Sequence, residues 1–242
     1  MKSKKFISIS VIAVVVLSLV IGAIYFTTHY AIIDRKIYKT DIKNINIFSL
    51  NTIDIKEVNK CTKIEKMFLA EASENSIAKF KNFHNLNDLT IEFSEVSSSD
   101  CEKISTFDNL DTLFTYYTNI DFKGFNNDKV SNIVLCYGEI INLKALSECS
   151  SLKNLIIGYS TVSDNCIIVE DDKYIMKDSS VFTSFDYVEK LRISVDKIED
   201  ISGILEIDSL KEFKVNKGSI SEDDKKLLED KGIFVTYSDK NE

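Results

Sequence analysis

The sequence predicts an α/β solenoid, in which short parallel strands stack on one another and return segments connect them. The main observation is a repeated pattern with apolar residues at its first, fourth and sixth positions, as in Leu152–Ile157, which reads LKNLII. Further copies begin at residues 42, 64, 86, 110, 130, 188 and 210, although Thr115 takes the third apolar place of the copy at 110, and the commonest step between starts is 22 residues. A fixed period in the twenties is typical of solenoids, because each repeat buries its apolar side only against its neighbours.

Each copy of the pattern is expected to form one strand and one return segment. Within residues 155–157 the side chains alternate, so that Leu155 and Ile157 point to the core and Ile156 points away from it. Because the strands are parallel, each connection must cross the other side of the solenoid. Apolar residues three apart in these connections, for example over residues 140–146, predict one helical or 3₁₀ turn packed on the core.

The 22-residue step and the apolar return segments resemble the leucine-rich repeats of bacterial internalin-like proteins. The resemblance covers roughly residues 42–237, and it implies a right-handed superhelix whose parallel strands form a concave sheet. The family usually has asparagine three residues after the last apolar strand residue, and here that residue is mostly replaced. The positions hold Ala72, Ser94, Thr118, Gly138, Ser160, Asp196 and Gly218. Some of these side chains are expected to bond a backbone group in place of the asparagine.

The N-terminal segment predicts one transmembrane helix ahead of the solenoid. Residues 6–26 carry no charge, and at about 1.5 Å per residue such a helix reaches about 30 Å, the thickness of a bilayer core. The lysines in residues 1–5 predict that this short basic segment stays in the cytoplasm and that the repeats lie outside. Residues 27–41 are interpreted as a polar linker. The alternative is a cleaved signal peptide and a secreted solenoid, although the apolar run is longer than most signal peptides and lacks a convincing cleavage site.

The repeat domain, residues 42–237, contains one insertion at residues 163–180, where the step between repeats grows to 36 residues. Two apolar arms within residues 166–176 flank an acidic segment, which predicts a hairpin with a polar turn. Insertions in solenoids form loops and often carry specificity. A neutral decoration, or one irregular repeat, is the alternative interpretation.

The chain is expected to end in a cap over residues 219–237. Ser221 is a suitable helix N-cap and Gly232 a suitable helix stop. Between them, Leu227 and Leu228 are expected to dock on the last repeat, and a final strand is expected at Ile233 and Val235. Residues 238–242 are predicted to be a frayed tail.

The candidate binding site is the concave face that the resemblance implies. Four successive repeats place an aromatic residue seven positions after the start of the repeat, which predicts a stripe of stacked rings. Aromatic residues are enriched where proteins meet partners. A basic group near the C-terminal end could select an acidic partner. The candidate ligand-binding residues are Phe93, Phe114, Tyr117, Tyr137, Ile156, Tyr159, Lys190, Arg192 and Lys214. The alternatives are that the stripe packs against its own strand ends and that the charges are a solvated face.

Composition and motifs argue against several other functions. The net charge of −8 argues against nucleic-acid binding, which depends on positive charge. Five cysteines leave at least one thiol free, so no obligatory disulfide framework is expected. No motif for a metal, a cofactor, a phosphate or a catalytic nucleophile is found, and neither His29 nor His84 belongs to a cluster with zinc spacing. We therefore predict no enzyme and no cofactor.

The favoured hypothesis is a cell-surface protein, anchored in the membrane through residues 6–26, whose repeats lie outside the cytoplasm. Its concave face would bind a protein or peptide, or a glycan, on the aromatic stripe. One alternative is a structural protein of the cell envelope that assembles with itself. The other is a secreted solenoid produced by signal cleavage.

Overall fold

A computed structural model describes residues 2–238 of the chain, with side chains from Val15 onward. The α-helices are α1 (Lys2–His29), α2 (Ile55–Val58), α3 (Ser98–Ser105), α4 (Ser202–Leu205) and α5 (Glu222–Asp230). The first nine strands are β1 (Tyr30–Ile33), β2 (Lys36–Lys39), β3 (Asn44–Ile47), β4 (Lys66–Ala70), β5 (Asp88–Glu92), β6 (Glu95–Val96), β7 (Thr112–Tyr116), β8 (Asn119–Asp121) and β9 (Asn132–Cys136). The others are β10 (Glu139–Ile141), β11 (Asn154–Gly158), β12 (Thr161–Val162), β13 (Ile167–Glu170), β14 (Lys173–Met176), β15 (Lys190–Ser194), β16 (Lys197–Ile198), β17 (Glu212–Asn216) and β18 (Phe234–Ser238).

The repeated apolar pattern produces a parallel sheet that runs the length of the solenoid. Its order is β3-β4-β5-β7-β9-β11-β15-β17-β18, and neighbouring strands are parallel and in register, so that Leu155 lies opposite Ile133 on one side and Leu191 on the other. Each predicted repeat start is followed two residues later by a strand of this sheet. The prediction of a solenoid with a parallel sheet is confirmed.

A second sheet covers the other side of the core. Its order is β16-β14-β13-β12-β10-β8-β6, and it is built from strands of two to four residues in the return segments. The sequence interpretation expected only helical turns there, and that was incomplete. Short helices and 3₁₀ turns, such as Leu143–Glu148, do follow several of these strands. Strands this short contain too few residues to leave a recognisable alternation in the sequence.

The core lies between the two sheets, and buried hydroxyl side chains hydrogen-bond to the backbone at its edge. Hydroxyl groups bond the backbone at three of the positions where the resemblance implies asparagine. The Ser94 hydroxyl oxygen accepts from the Ala72 N–H at 2.9 Å, and that of Ser160 accepts from the Gly138 N–H at 3.3 Å. The Thr118 hydroxyl donates to a carbonyl of the preceding repeat at 3.2 Å. All three hydroxyl side chains are buried, so they satisfy backbone groups that water cannot reach.

The N-terminal region consists of α1 and the β1–β2 hairpin. The predicted anchor, residues 6–26, falls within α1, and its residues 6–14 lie outside the part of the chain whose side chains are described. Among the described residues, no helix combines the length and the apolar character that a membrane crossing requires. The interpretation of residues 27–41 as a polar linker is wrong, because Ala31 and Ile33 in β1 are fully buried against the first repeat. Buried and exposed residues alternate along β1, as in a strand with one face on the core, and the β1–β2 hairpin caps the first repeat.

The insertion forms an antiparallel hairpin of β13 and β14, as its two apolar arms predict. Asp171 and Asp172 form the turn, and both have positive φ angles, of 48° and 61°. Two successive residues of this kind are typical of the tight turns that suit hairpin twist. The hairpin is part of the second sheet, where β13 pairs with β12 and β14 pairs with β16.

The C-terminal cap is α5 followed by β18. Ser221 caps the helix by accepting from the N–H of its third residue at 3.0 Å, and Gly232 follows the helix with a φ of +87°. Leu228 is fully buried, but the prediction that Leu227 also docks is wrong, because its side chain is 52 % exposed. Consecutive helical positions point about 100° apart, so one of the two leucines must face away from the repeat.

The final strand ends later than the sequence interpretation placed it. Ile233 and Val235 are buried, and β18 pairs in parallel with β17 along its whole length. Ser238, the first residue of the predicted tail, is buried and belongs to this strand. The rest of the predicted tail, residues 239–242, lies outside the described residues.

Candidate functional site

The aromatic stripe of the sequence forms a ridge of four stacked rings, which we call the aromatic ridge: Phe93, Tyr117, Tyr137 and Tyr159. The centroids of neighbouring rings are 5.3, 5.1 and 5.8 Å apart along this series, and the ring planes are tilted by 12°, 28° and 20°. Each residue directly follows a strand of the parallel sheet. The ridge therefore runs along the carboxyl edge of that sheet, where the chain turns toward the second sheet, and not across the middle of the concave face.

Backbone conformation brings the rings of the aromatic ridge into line. The four residues have φ angles of 49°, 47°, 56° and 46°, all in the left-handed region. The N–H of each donates to the carbonyl of the last strand residue in the following repeat, at 2.9–3.0 Å. Bulky residues are uncommon in this conformation, because their Cβ crowds the carbonyl. Repeating one uncommon turn four times gives every ring the same position relative to its own strand.

Two further tyrosines extend the aromatic ridge, and the sequence interpretation missed both. Tyr116, at the end of β7, packs edge-on against Tyr117 and Tyr137 with centroid distances of 4.6 and 5.3 Å. Tyr174, in the insertion hairpin, packs edge-on against Tyr159 at 5.7 Å. The position of Tyr116, two residues after the candidate Phe114, could have indicated its place on the concave side. No sequence pattern indicates which repeat Tyr174 lies next to.

A depression of about 360 Å³ lies beside the aromatic ridge on the concave face. Its floor consists of the small residues Cys136, Gly158 and Ser194, which end three neighbouring strands. A Cβ at position 158 would lie only 3.0 Å from the Cys136 Sγ, so glycine there keeps the floor open. The depression is lined by Phe114, Tyr116, Val134, Cys136, Tyr137, Ile156, Gly158, Tyr159, Arg192, Ser194 and Asn216.

The three predicted basic residues lie in different surroundings. Lys190 is exposed, and its Nζ lies 3.5 Å from a Glu212 carboxylate oxygen. Arg192 is half-buried at the side of the depression, and its Nε donates to the Ser194 hydroxyl at 3.4 Å. Lys214, also half-buried, lies opposite Arg192 on the neighbouring strand and outside the lining of the depression. The structure therefore brings Arg192 together with the aromatic candidates, while Lys190 and Lys214 lie beside that group.

Burial favours the uncharged forms of three side chains in the depression, those of Tyr116, Tyr137 and Cys136. Burial raises the pKa of the Tyr116 and Tyr137 hydroxyls above their usual range. Burial also raises the pKa of the Cys136 thiol, although the Arg192 guanidinium and the Gly158 N–H act in the opposite direction. The depression consequently combines neutral walls with one guanidinium.

The described residues contain no group of three His, Cys, Asp or Glu side chains that could hold a metal ion. His84 lies 2.6 Å from Asp108, but both side chains are more than half exposed at the surface. All five cysteines are free thiols, and Cys61, Cys101, Cys149 and Cys166 are buried.

The repeated strands, the parallel sheet and the return segments define a leucine-rich-repeat fold. No family model and no curated protein sequence matches the chain. Among solved structures, internalin C2 from Listeria monocytogenes is similar at 16 % identity with a TM-score of 0.54, over 84 % of this chain and 86 % of that one. The internalin InlF of the same organism has 16 % identity and a TM-score of 0.43, over 82 % of this chain and 62 % of that one. The likeness to internalin C2 is one of fold alone.

Proposed function

We propose that the chain is a binding protein that docks a protein or peptide on the aromatic ridge and the adjacent depression. The carrying observation is that Phe93, Tyr117 and Tyr137 remain 57 %, 48 % and 37 % exposed although they are stacked on one another. Exposed contiguous apolar surface of this kind usually marks an interaction site. This supports binding over the alternative that the stripe only closes the edge of the core.

The arrangement of the rings favours a protein ligand over a glycan. Sugars stack on the face of an aromatic ring, which carries the negative part of its quadrupole. In the aromatic ridge the faces of Tyr117 and Tyr137 are directed at neighbouring rings, so the exposed surface of these two rings consists mainly of their edges. Such a surface suits apolar side chains and hydrogen-bonding groups of a polypeptide.

Binding on the aromatic ridge requires little loss of side-chain freedom. Each ring is held by its neighbours and by a backbone that is hydrogen-bonded to the next repeat. Association loses affinity when rotamer-rich side chains must be fixed. Rings that are already fixed avoid most of that loss.

The proposal includes an anchor at residues 6–26 and an extracytoplasmic position for the repeats. It is supported by the uncharged run, by the lysines before it and by the apolar side chains of residues 15–26 in α1, which are exposed along the helix, Val15 and Phe26 among them. Protease added to intact producing cells is expected to remove residues 42–237 and to leave an N-terminal fragment in the membrane. Full-length repeats in the medium would favour the secreted alternative.

The binding proposal is tested with the full chain in detergent as bait for a surface extract of the producing cells. The captured partner is then purified, and its Kd is measured for wild type and for the Tyr117→Ala, Tyr137→Ala, Tyr159→Ala triple variant. The triple variant is expected to bind at least about tenfold more weakly, because aromatic anchors dominate interfaces. Tyr187→Ala serves as the matched control, since Tyr187 is 44 % exposed and lies outside the depression and the aromatic ridge.

Equal affinity of the triple variant and wild type would refute the proposal. A chain that captures no partner, and whose mass in solution rises with concentration only while the tyrosines are present, would instead support self-assembly.

A further inference from the structure

Arg192 differs from Lys66 and Lys190, two other cations of the concave sheet, in having no carboxylate partner in the described part of the chain. Lys66 pairs with Asp88 at 2.6 Å and Lys190 pairs with Glu212 at 3.5 Å, in each case across neighbouring strands of the sheet. Among residues 15–238, Arg192 takes part in no ion pair, and its hydrogen bond uses only the Nε. The two terminal nitrogens of the guanidinium are left without an acceptor in the described part of the chain.

The surroundings of Arg192 make this lack of a partner costly. The side chain is half-buried, and its register partner on β11 is Ile156, an apolar residue of the same depression. Charged groups that leave water are usually paired, because desolvation is expensive. The protein also carries 38 acidic residues, so a carboxylate placed beside Arg192 would be in keeping with its composition. An unpaired guanidinium here fits a site whose carboxylate comes from a ligand.

The geometry of the guanidinium and the lining of the depression restrict the chemical class of the ligand further. A guanidinium presents parallel N–H donors that match a planar carboxylate. The depression contains a single guanidinium, so it suits a group with one negative charge better than a phosphate dianion. The remaining lining is mostly apolar, from Phe114 and Ile156 to the tyrosines of the aromatic ridge. A ligand that fills this space has apolar groups on either side of its anion.

We propose that Arg192 binds the carboxylate of an aspartate or glutamate within a peptide segment of a partner protein, while flanking apolar side chains of that segment occupy the depression and contact the aromatic ridge. This inference rests on the proposed function and specifies its ligand. Gly158 and Cys136 line the same depression as Arg192, so larger residues at these two positions would reduce its volume.

The test selects peptides from a random dodecapeptide library displayed between two folded segments, so that no peptide has a free C-terminus. The bait is the full chain in detergent micelles. Selected peptides are expected to contain aspartate or glutamate next to large apolar residues. For the strongest peptide, Arg192→Gln is expected to weaken binding about tenfold or more, as the loss of a charge-assisted hydrogen-bonded pair does. Arg192→Lys is expected to lose less, because the charge remains.

Three controls define the contact. Lys66→Gln removes the same charge from another strand of the same sheet, outside the depression, and is expected to change the Kd by less than about twofold, as exposed ion pairs contribute little. Replacing the acidic residue of the peptide by its amide is expected to cause the same loss as Arg192→Gln, and the two changes together no further loss. Bound peptide is also expected to slow alkylation of Cys136, the one cysteine of the described chain that is not fully buried.

The outcomes separate this inference from the proposed function. Peptides that require the three ridge tyrosines but bind the Arg192→Gln variant as well as wild type would overturn the inference and leave the proposed function standing. Selected peptides without an acidic residue would do the same. Peptides that require neither the tyrosines nor Arg192, or a library that gives no binder, would overturn both.

Discussion

Tyr137 is the position at which the backbone strain and the ring stacking of the aromatic ridge can be separated by mutation. Its φ of 56° lies in the left-handed region, and its ring contacts those of Tyr116, Tyr117 and Tyr159. Tyr137→Ala removes the ring and keeps a Cβ in the left-handed conformation. Tyr137→Gly removes the ring and the Cβ together.

The expected magnitudes follow from these contacts. Each of the three ring contacts contributes roughly 0.5–1.5 kcal/mol, and since Tyr137 is more than a third exposed, we expect Tyr137→Ala to lower the free energy of unfolding by about 2 kcal/mol. The left-handed conformation costs a residue with a Cβ roughly 1–2 kcal/mol. Glycine avoids this cost, but it loses about 0.4–1 kcal/mol of the gain, because an unfolded chain with glycine has greater conformational entropy. Tyr137→Gly is therefore expected to be more stable than Tyr137→Ala by about 0.5–1 kcal/mol.

The assay is equilibrium urea unfolding of both variants, followed by circular dichroism. Phe114 gives the control, because it lies within β7 and is not among the residues with positive φ. At that position the order should reverse, and glycine should be less stable than alanine by about 0.5–1 kcal/mol. Equal midpoints for the two variants at position 137, or a more stable alanine variant, would refute the argument that this turn is strained.

Three further predictions concern the framework beneath the site. Gly138→Ala is expected to lower the free energy of unfolding in urea by about 3 kcal/mol or more, because the added Cβ would lie 1.9 Å from the Thr118 carbonyl oxygen. Ser94→Ala is expected to cost about 1–3 kcal/mol in urea unfolding, since the Ala72 N–H would lose its acceptor in a buried position. Burial opposes ionisation of Asp200, but hydrogen bonds from neighbouring backbone and hydroxyl groups outweigh it and hold its pKa at about 2. Its stabilisation, roughly 1–2 kcal/mol, is therefore present above about pH 4 and lost as the pH falls toward 2, and Asp200→Asn should show a correspondingly smaller loss between pH 7 and pH 2.5.

The repeat architecture could be predicted because its signal is apolar burial, which depends directly on residue type. The positions that the pattern marks as core, such as Leu155 and Ile157, are fully buried. The same periodicity placed the four rings of the aromatic ridge in successive repeats. Their role as ligand-binding residues remains a proposal, as does that of the basic residues.

Features set by backbone geometry were not predictable from residue type. Aromatic residues in the left-handed conformation, such as Tyr117 and Tyr159, contradict local preference, and only the hydrogen bond to the next repeat explains them. The pairing of Lys190 with Glu212 depends on side-chain positions across two strands 22 residues apart. Of the three basic candidates only Arg192 lines the depression, a distinction that a count of basic residues could not make.

The aromatic ridge ends next to the insertion hairpin. After Tyr159 the corresponding position of the next repeat is Val195, which is fully buried and lacks the left-handed conformation, so the series of stacked rings stops there. The hairpin brings Tyr174 against Tyr159 at that point. Because β14 of the hairpin is paired with β16, this ring is held by the second sheet and not by the parallel one. The hairpin therefore adds one ring next to Tyr159, a residue that lines the depression together with Arg192, and a role of the insertion in specificity stays a proposal.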